Sequence, residues 1–437
     1  MNNDKHPQPV LSKGEQHREE NGPRNDLVEA ESPLESPAPP EDWFAWLQVL
    51  GAFCLNLNTW GLMNTFGVFQ TFYELDLLAS KSSSDISWIG STQAFLMFIV
   101  SAIVGPVVDA GYLQSLLALG SFLAVLGMFM TSLCNEYWQV FLAQALTMGL
   151  GFGCLYVPAP TIVSQYFHAN TALAMGASSA GTALGGIIYP IIFIQLQPRI
   201  GFGWATRVIA FIVLATMLIP LVMMRSRAPP TTKWSLVDRT AFRDTPYLLL
   251  NTGLIFGFMG FYIILYYIQL FAIQETTVSH NISTYILVIV NASSLPGRLI
   301  PGYYADRTGS INVQTIVALV GAVMTFALIA IHSAPGLIVY CVLYGFASGA
   351  FMGLPAAGVV SLSADRSKIG TRLGMTLAVV GCGVLVSTPI AGAILNRRDG
   401  RYWVGLIVWC GALLSASMVA MAVTRIWKIG VGLKRVI

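Results

Sequence analysis

Apolar residues in this chain come in long blocks rather than in alternating stripes. After a polar opening stretch, about twelve blocks of helix-spanning length follow one another, separated by short polar or charged loops. A hydrocarbon core of roughly 30 Å takes about 20 apolar residues of helix to cross, so the pattern predicts twelve membrane spans. The first six are expected near 45–69, 87–108, 113–133, 138–160, 172–195 and 204–224. The second six are expected near 247–270, 282–303, 312–331, 336–360, 372–394 and 402–424. The expected fold class is therefore all-α and integral to the lipid bilayer. A composition of 55% hydrophobic and 10% charged residues leaves no room for a soluble domain of any size. Chemistry must fall to the few polar groups inside the spans, each of which is costly in lipid.

The division into domains follows from the loops. Residues 1–44 form a tail with ten Asp or Glu against four Lys or Arg in its first 42 positions, and it contains Glu31-Ser-Pro-Leu-Glu-Ser-Pro-Ala-Pro-Pro40. Such a stretch buries too little to offset its ordering entropy, so it is expected to be disordered. It lacks the apolar core of a cleaved signal, which leaves insertion to the first span. The longest loop, 225–246, separates a half at 45–224 from a half at 247–424, and 425–437 is a short C-terminal tail. With the N-terminus in the cytoplasm, thirteen Lys or Arg fall on that side outside the first tail and six on the other. The positive-inside rule then places both termini in the cytoplasm, and the plasma membrane is the expected location.

The two halves echo each other. Gly105-Pro-Val-Val-Asp109 and Gly302-Tyr-Tyr-Ala-Asp306 stand 197 positions apart, as do Pro158 and Pro355, while Pro190 and Pro389 stand 199 apart. Landmarks at nearly one offset predict a parallel duplication of a six-helix unit, an arrangement that encloses a midplane site between two rocking halves. Small residues crowd the fourth, fifth, tenth and eleventh blocks. Gly345, Gly349 and Gly353 in particular repeat every four residues, which lets a neighbouring helix approach closely.

Among the polar residues, Arg298 is the most pointed. It lies eight positions before Asp306, so its Cα is roughly 12 Å up the helix from that loop. A lipid-facing charge there would cost about 2.5–3.5 kcal/mol on insertion scales. It should face the interior, where a guanidinium fork suits a carboxylate, although an arginine snorkelling to the interface is the alternative. Pro296 and Pro301 are expected to interrupt the helix on either side of it. Asn56, Trp60 and Asn64 share one face of the first span, and Phe258, Tyr262 and Tyr266 share one face of the seventh. Both stripes suit a cavity for a partly apolar solute, or else hydrogen bonding between helices.

Other chemistries find no support. The six cysteines sit within or at the ends of apolar blocks without zinc-like spacing, and no phosphate loop, HExxH or GxSxG is present. No cofactor, no metal, no enzymatic activity and no nucleic-acid partner are expected. The expected partner is a small organic solute, and nothing speaks to oligomeric state.

Two further stretches carry a resemblance. Asp42-Trp-Phe-Ala-Trp46 precedes the first span, and Tyr166-Phe-His-Ala-Asn-Thr-Ala-Leu-Ala-Met-Gly-Ala-Ser-Ser-Ala-Gly-Thr-Ala-Leu-Gly185 leads into the fifth. With the loops at Gly105–Asp109 and Gly302–Arg307, they make the chain resemble a major facilitator superfamily transporter, and more narrowly a monocarboxylate porter of fungal type. The resemblance covers nearly everything after the tail. It implies two six-helix halves, alternating access, and a gating latch at Gly105, Asp109, Gly302, Asp306 and Arg307.

Proton-coupled members of that family use a lysine in the first span and an Asp and Arg pair in the eighth. Arg298 matches the arginine, whereas Asn64 and Ser294 stand at the other two positions and His168-Ala-Asn170 replaces the usual basic residues. These departures point away from simple proton symport. Glu74, Asp76 and His168 remain as titratable groups at span ends. The sequence thus predicts a secondary active or facilitative transporter of a small organic acid or acidic metabolite, in which export of a fungal secondary metabolite is as open as uptake. Uptake of short monocarboxylates by proton symport and a non-transporting solute sensor are the alternatives.

Overall fold

The structure is a computed structural model and describes residues 43–167, 171–227, 237–363, 369–398 and 401–429. Nearly all of the first tail, His168-Ala-Asn170, most of the linker's middle and the last eight residues therefore lie outside the described residues. So do the side chains of Asp109 and Asp306. Among the described residues nine helices are long and apolar enough to cross a membrane. One of them, Thr171–Met223, holds two spans, because Gly201 at φ +78° breaks the helix between the expected fifth and sixth blocks. That backbone region is open to glycine at little steric cost. The first span runs through Trp43–Asn58 and Trp60–Phe72, and the eighth is His280–Thr308. With these the arrangement is consistent with the twelve spans expected.

The eighth span corrects one expectation. Pro296 and Pro301 lie inside a single helix instead of interrupting it. Each proline removes one N–H, which leaves the carbonyls four residues earlier, on Ala292 and Gly297, without their usual donors. Neighbouring spans hold the helix together regardless. Gly345 and Gly349 of the tenth span press against the backbone of Val290 and Ser294 so closely that no Cβ would fit. The glycine stripe read from the sequence is thus the seat of the eighth span, and its last member, Gly353, faces Arg298.

The duplication reappears in local geometry. Pro158 opens the terminal helix Pro158–Tyr166 of the fourth span, and Pro355 opens Pro355–Leu362 of the tenth. Gly111 and Gly309, at φ +90° and +94°, turn the chain after the second and eighth spans. Between halves, the second span packs on the eleventh, the fifth on the eighth and the first on the seventh. The outward faces carry large apolar side chains such as Phe122, Phe211, Leu218, Ile316, Val323 and Val339, as a bilayer requires.

At the end that holds the termini, aromatic contacts join the two resembling stretches. Phe44 lies 6.0 Å from Tyr166 and Trp46 lies 5.2 Å from Phe167, ring centre to ring centre. The linker's described part is strapped to the eleventh span. Arg372 donates to Asp238 at 3.1 Å and to Asp244 at 2.8 Å, and these carboxylates bracket the short turn Arg239–Arg243.

Candidate functional site

Arg298 reaches the interior from the eighth span. Its side chain is half-buried, yet its Nε is shut away from solvent without a hydrogen-bond partner among the described residues. Tyr262 of the seventh span and Tyr156 of the fourth both lie within electrostatic reach of it. The Tyr262 hydroxyl is likewise buried and unpartnered. A buried polar group left unsatisfied costs about 1–3 kcal/mol, and more when charged. Two such groups thus lie within electrostatic reach of each other on packed helices, each with a free hydrogen-bonding position.

Around them runs a chain of rings that crosses from one half to the other. Trp60 meets Tyr156 edge-on at 5.4 Å and Phe98 at 5.8 Å. Phe98 meets Phe258 at 6.0 Å, Phe258 stacks on Tyr262 at 6.2 Å, and Tyr262 meets Tyr266 at 5.7 Å. Each such contact adds about 0.5–1.5 kcal/mol beyond area burial, so the walls are stiff and mostly apolar. An organic anion with a carbon skeleton would find its charge met by Arg298 and its body by the rings.

The residues singled out from the sequence fall into three groups. Arg298, Trp60, Phe258 and Tyr262 come together as described. Asn64 lies one turn beyond Trp60, buried and with no hydrogen-bond partner among the described residues. Asn56 and Tyr266 are instead engaged in holding helices together. The Asn56 amide donates to the Ser178 carbonyl at 3.1 Å, and the Tyr266 hydroxyl donates to that of Gly90 at 3.3 Å. Tyr156 and Phe98 were missed. An aromatic inside an apolar block carries no periodic signal of its own, although Tyr156 sits two residues before the landmark Pro158.

The expected latch is less defined. Arg307 stands over the Tyr303 ring at 4.4 Å. Gly302 has open space where a Cβ would go, and Gly105 has only Val157 at 4.0 Å, so neither glycine is required by close packing in this conformation.

The end remote from the termini is closed. Ser84 Oγ donates to the Pro389 carbonyl at 2.9 Å, joining the second and eleventh spans. Tyr267 of the seventh donates to the Ser83 carbonyl at 3.2 Å, and Gln195 of the fifth bonds Tyr285 of the eighth. Nearer the middle, Asn291 donates to Gly186 at 3.0 Å. Among the described residues no group of three His, Cys, Asp or Glu side chains is placed to hold a metal ion.

Comparison with known proteins agrees with this architecture. The family model described as Major Facilitator Superfamily matches residues 48–379. The MFS-type transporter dbaD of Emericella nidulans is 43% identical over 87% of this chain and 86% of its own length. The aspyridones efflux protein apdF of the same organism is 36% identical over 84% and 75%. The fujikurins efflux protein of Gibberella fujikuroi is 36% identical over 84% and 80%. The crystal structure of the nucleoside transporter NupG superposes with a TM-score of 0.70 at 14% identity, covering 86% of this chain and 99% of that one, a likeness of fold alone. A twelve-span bundle of two six-helix halves, a family model over most of its length and relatives well above 30% identity lead to one conclusion: this chain is a multi-pass membrane protein of the Major Facilitator Superfamily.

Proposed function

We propose that this chain is a secondary active or facilitative carrier that exports an acidic, largely apolar organic metabolite by alternating access. The observation that carries the reading is the unpartnered Nε of Arg298 beside the unpartnered Tyr262 hydroxyl, enclosed by rings from both halves. A guanidinium held among aromatics favours a carboxylate or enolate attached to a sizeable carbon body. Two relatives are named as efflux proteins for aspyridones and fujikurins, which supports the direction and class of cargo. The two halves, 45–224 and 247–424, would rock about this site with the linker 225–246 between them. Both termini would lie in the cytoplasm of a cell whose plasma membrane holds the protein, so the closed remote end faces outward.

The narrower kinship with monocarboxylate porters is a second reading, favoured by Arg298 and by the packing of the stretch at Trp43–Trp46 on Tyr166-Phe167. Asn64 and Ser294, where those porters carry ionisable groups, count against a simple proton symport of lactate-like acids. The deciding experiment is a comparison of intracellular and extracellular metabolites in the native host with and without the gene. Retention of an acidic metabolite inside the deletion strain supports export. A short acid left unused in the medium overturns it in favour of uptake.

A further inference from the structure

Fixed charge inside the spans is confined to one place. Of all Asp, Glu, Lys, Arg and His residues, only Arg207, Arg298 and Arg372 fall within the twelve apolar blocks. Arg207 and Arg372 stand in the end turns of their blocks and are engaged there. Arg207 donates from Nε to Ser132 Oγ at 3.1 Å and lies over the Trp204 ring at 4.9 Å, while Arg372 holds Asp238 and Asp244. Arg298 is the charge left to the interior.

The described groups that face Arg298 are neutral. The fourth span brings the Tyr156 phenol, the seventh the Tyr262 phenol and the tenth Gly353. On its own helix, Ser294 one turn earlier donates its hydroxyl to the Asn291 carbonyl at 2.7 Å, and Asn291 donates to Gly186 of the fifth span. Phenol and guanidinium hold their protons throughout the physiological pH range. Asp306 lies roughly 12 Å along the helix, near the end of the eighth span. Glu74 stands about 21 Å along the first span from Trp60, where it accepts from Gln70 Nε2 and Ser83 Oγ, each at 2.9 Å. That carboxyl belongs to the remote closure, which is tight enough that a Cβ on Gly392 would stand 2.7 Å from both Ser84 N and Tyr267 Oη.

We infer that this chain is an electrogenic uniporter, in which each turnover carries one organic monoanion across without a proton, so that the inside-negative membrane potential drives the anion out. The inference rests on the export reading above and names what powers it. Over a complete cycle the Arg298 guanidinium returns to its starting state whatever field it has sampled, and so contributes no net charge. The charge left on the far side is the anion's own. A guanidinium and a single carboxylate or enolate also leave the loaded site neutral, which limits the cost of holding charge in a low-dielectric bundle. One elementary charge falling through the potential sustains a tenfold concentration ratio for about every 59 mV. Uptake of the same anion would run uphill by the same factor, so the sign of the cargo sets the direction of net flow.

Proteoliposomes holding the full chain or its Arg298→Ala form test this. They carry the acidic organic fraction of the host's culture medium, carbon-13-labelled inside and unlabelled outside at equal concentration. Mass spectrometry follows each anion, and readings precede any exchange in protein-free vesicles. Loss of label scores carriage, and the total inside scores net movement. For an anion that the wild type carries faster than Arg298→Ala, a tenfold outward potassium gradient with valinomycin at equal pH should lower the inside concentration to about one tenth for a monoanion. Reversing the gradient should raise it about tenfold. A one-unit pH gradient at equal potassium, again with valinomycin, should leave it unchanged. An inside concentration that follows the pH gradient, with or without the potential, or one that ignores the potential while label is lost, overturns the uniport and leaves the carrier reading standing. Vesicles in which no anion loses label faster with the protein than without it sink the export reading itself, and the uniport with it.

Discussion

The closed remote end and the aromatic candidate site lie in one bundle and use polar groups differently. At the closure, serine, tyrosine, glutamine and glutamate side chains reach across or between spans, although Gln70 Oε1, Gln269 Oε1 and Thr388 Oγ1 nearby are buried without partners. At the site, Arg298 Nε and the Tyr262 hydroxyl are buried without partners although rings surround them. Orphaned polar atoms occur elsewhere in the bundle too, for example at Gln314 and Tyr340. What distinguishes the site is that two such groups lie within electrostatic reach of each other, beside a path of rings joining both halves. A closure has to be complete within the protein in one state of a carrier. A binding site has to remain incomplete until its cargo arrives.

Substitutions can break that comparison, and the largest effect is expected at Arg298. Arg298→Ala should lower anion transport in proteoliposomes by about 10- to 150-fold while leaving the protein folded and inserted, since a bond to a charged group contributes about 1.5–3 kcal/mol. Undiminished transport would remove Arg298 from the site. Next is Gly392→Leu, whose side chain would wedge Ser84 and Tyr267 apart. Transport should fall at least about tenfold, from a closure shifted by 1.4 kcal/mol or more, with raised labelling of cysteines introduced near residue 84. Labelling equal to that of the unwedged protein would show that the closure does not depend on this approach.

A smaller effect belongs to the strap. Arg372→Met removes the guanidinium that bridges Asp238 and Asp244, and thermal unfolding in detergent should reveal a loss of about 1–3 kcal/mol. That is below the figure for a fully buried pair, because Asp244 is partly exposed. An unchanged midpoint would mean the strap contributes nothing in the ground state. Tyr262→Phe sharpens the contrast further. Its hydroxyl has no partner to lose, so stability should stay within about 0.5 kcal/mol while cargo affinity weakens several-fold. A marked loss of stability would instead assign that hydroxyl to the fold. Asn64→Lys should produce the smallest change, a shift in the pH profile of transport, and an unaltered profile would separate this position from proton handling.

The fold was legible because lipid imposes a simple rule. Each crossing needs an unbroken apolar helix, so block length alone located the spans. The ends were less legible, and the first and seventh spans run well past 69 and 270 to Phe72 and Glu275. Helical hydrogen bonding continues beyond the apolar stretch where neighbours cover it. The grouping of the candidate residues was legible in part. Arg298 stood out by the cost of its burial, and Trp60, Phe258 and Tyr262 by helical spacing. The same spacing also selected Asn56 and Tyr266, because a polar residue facing a cavity and one facing a neighbouring helix have the same periodicity.

The sequence by itself determined the number of spans, the six-and-six division, the glycine stripe and the presence of a costly interior arginine. Those are consequences of length, hydrophobicity and side-chain size along one helix at a time. Only the tertiary structure decided that Tyr156 and Phe98 complete the ring path, that Arg372 holds two linker carboxylates, and that Glu74 meets the closing seam through Ser83. Each of those facts joins residues from different spans. Apolar periodicity fixes which face of a helix turns inward, but not which residue of which other helix it will meet there.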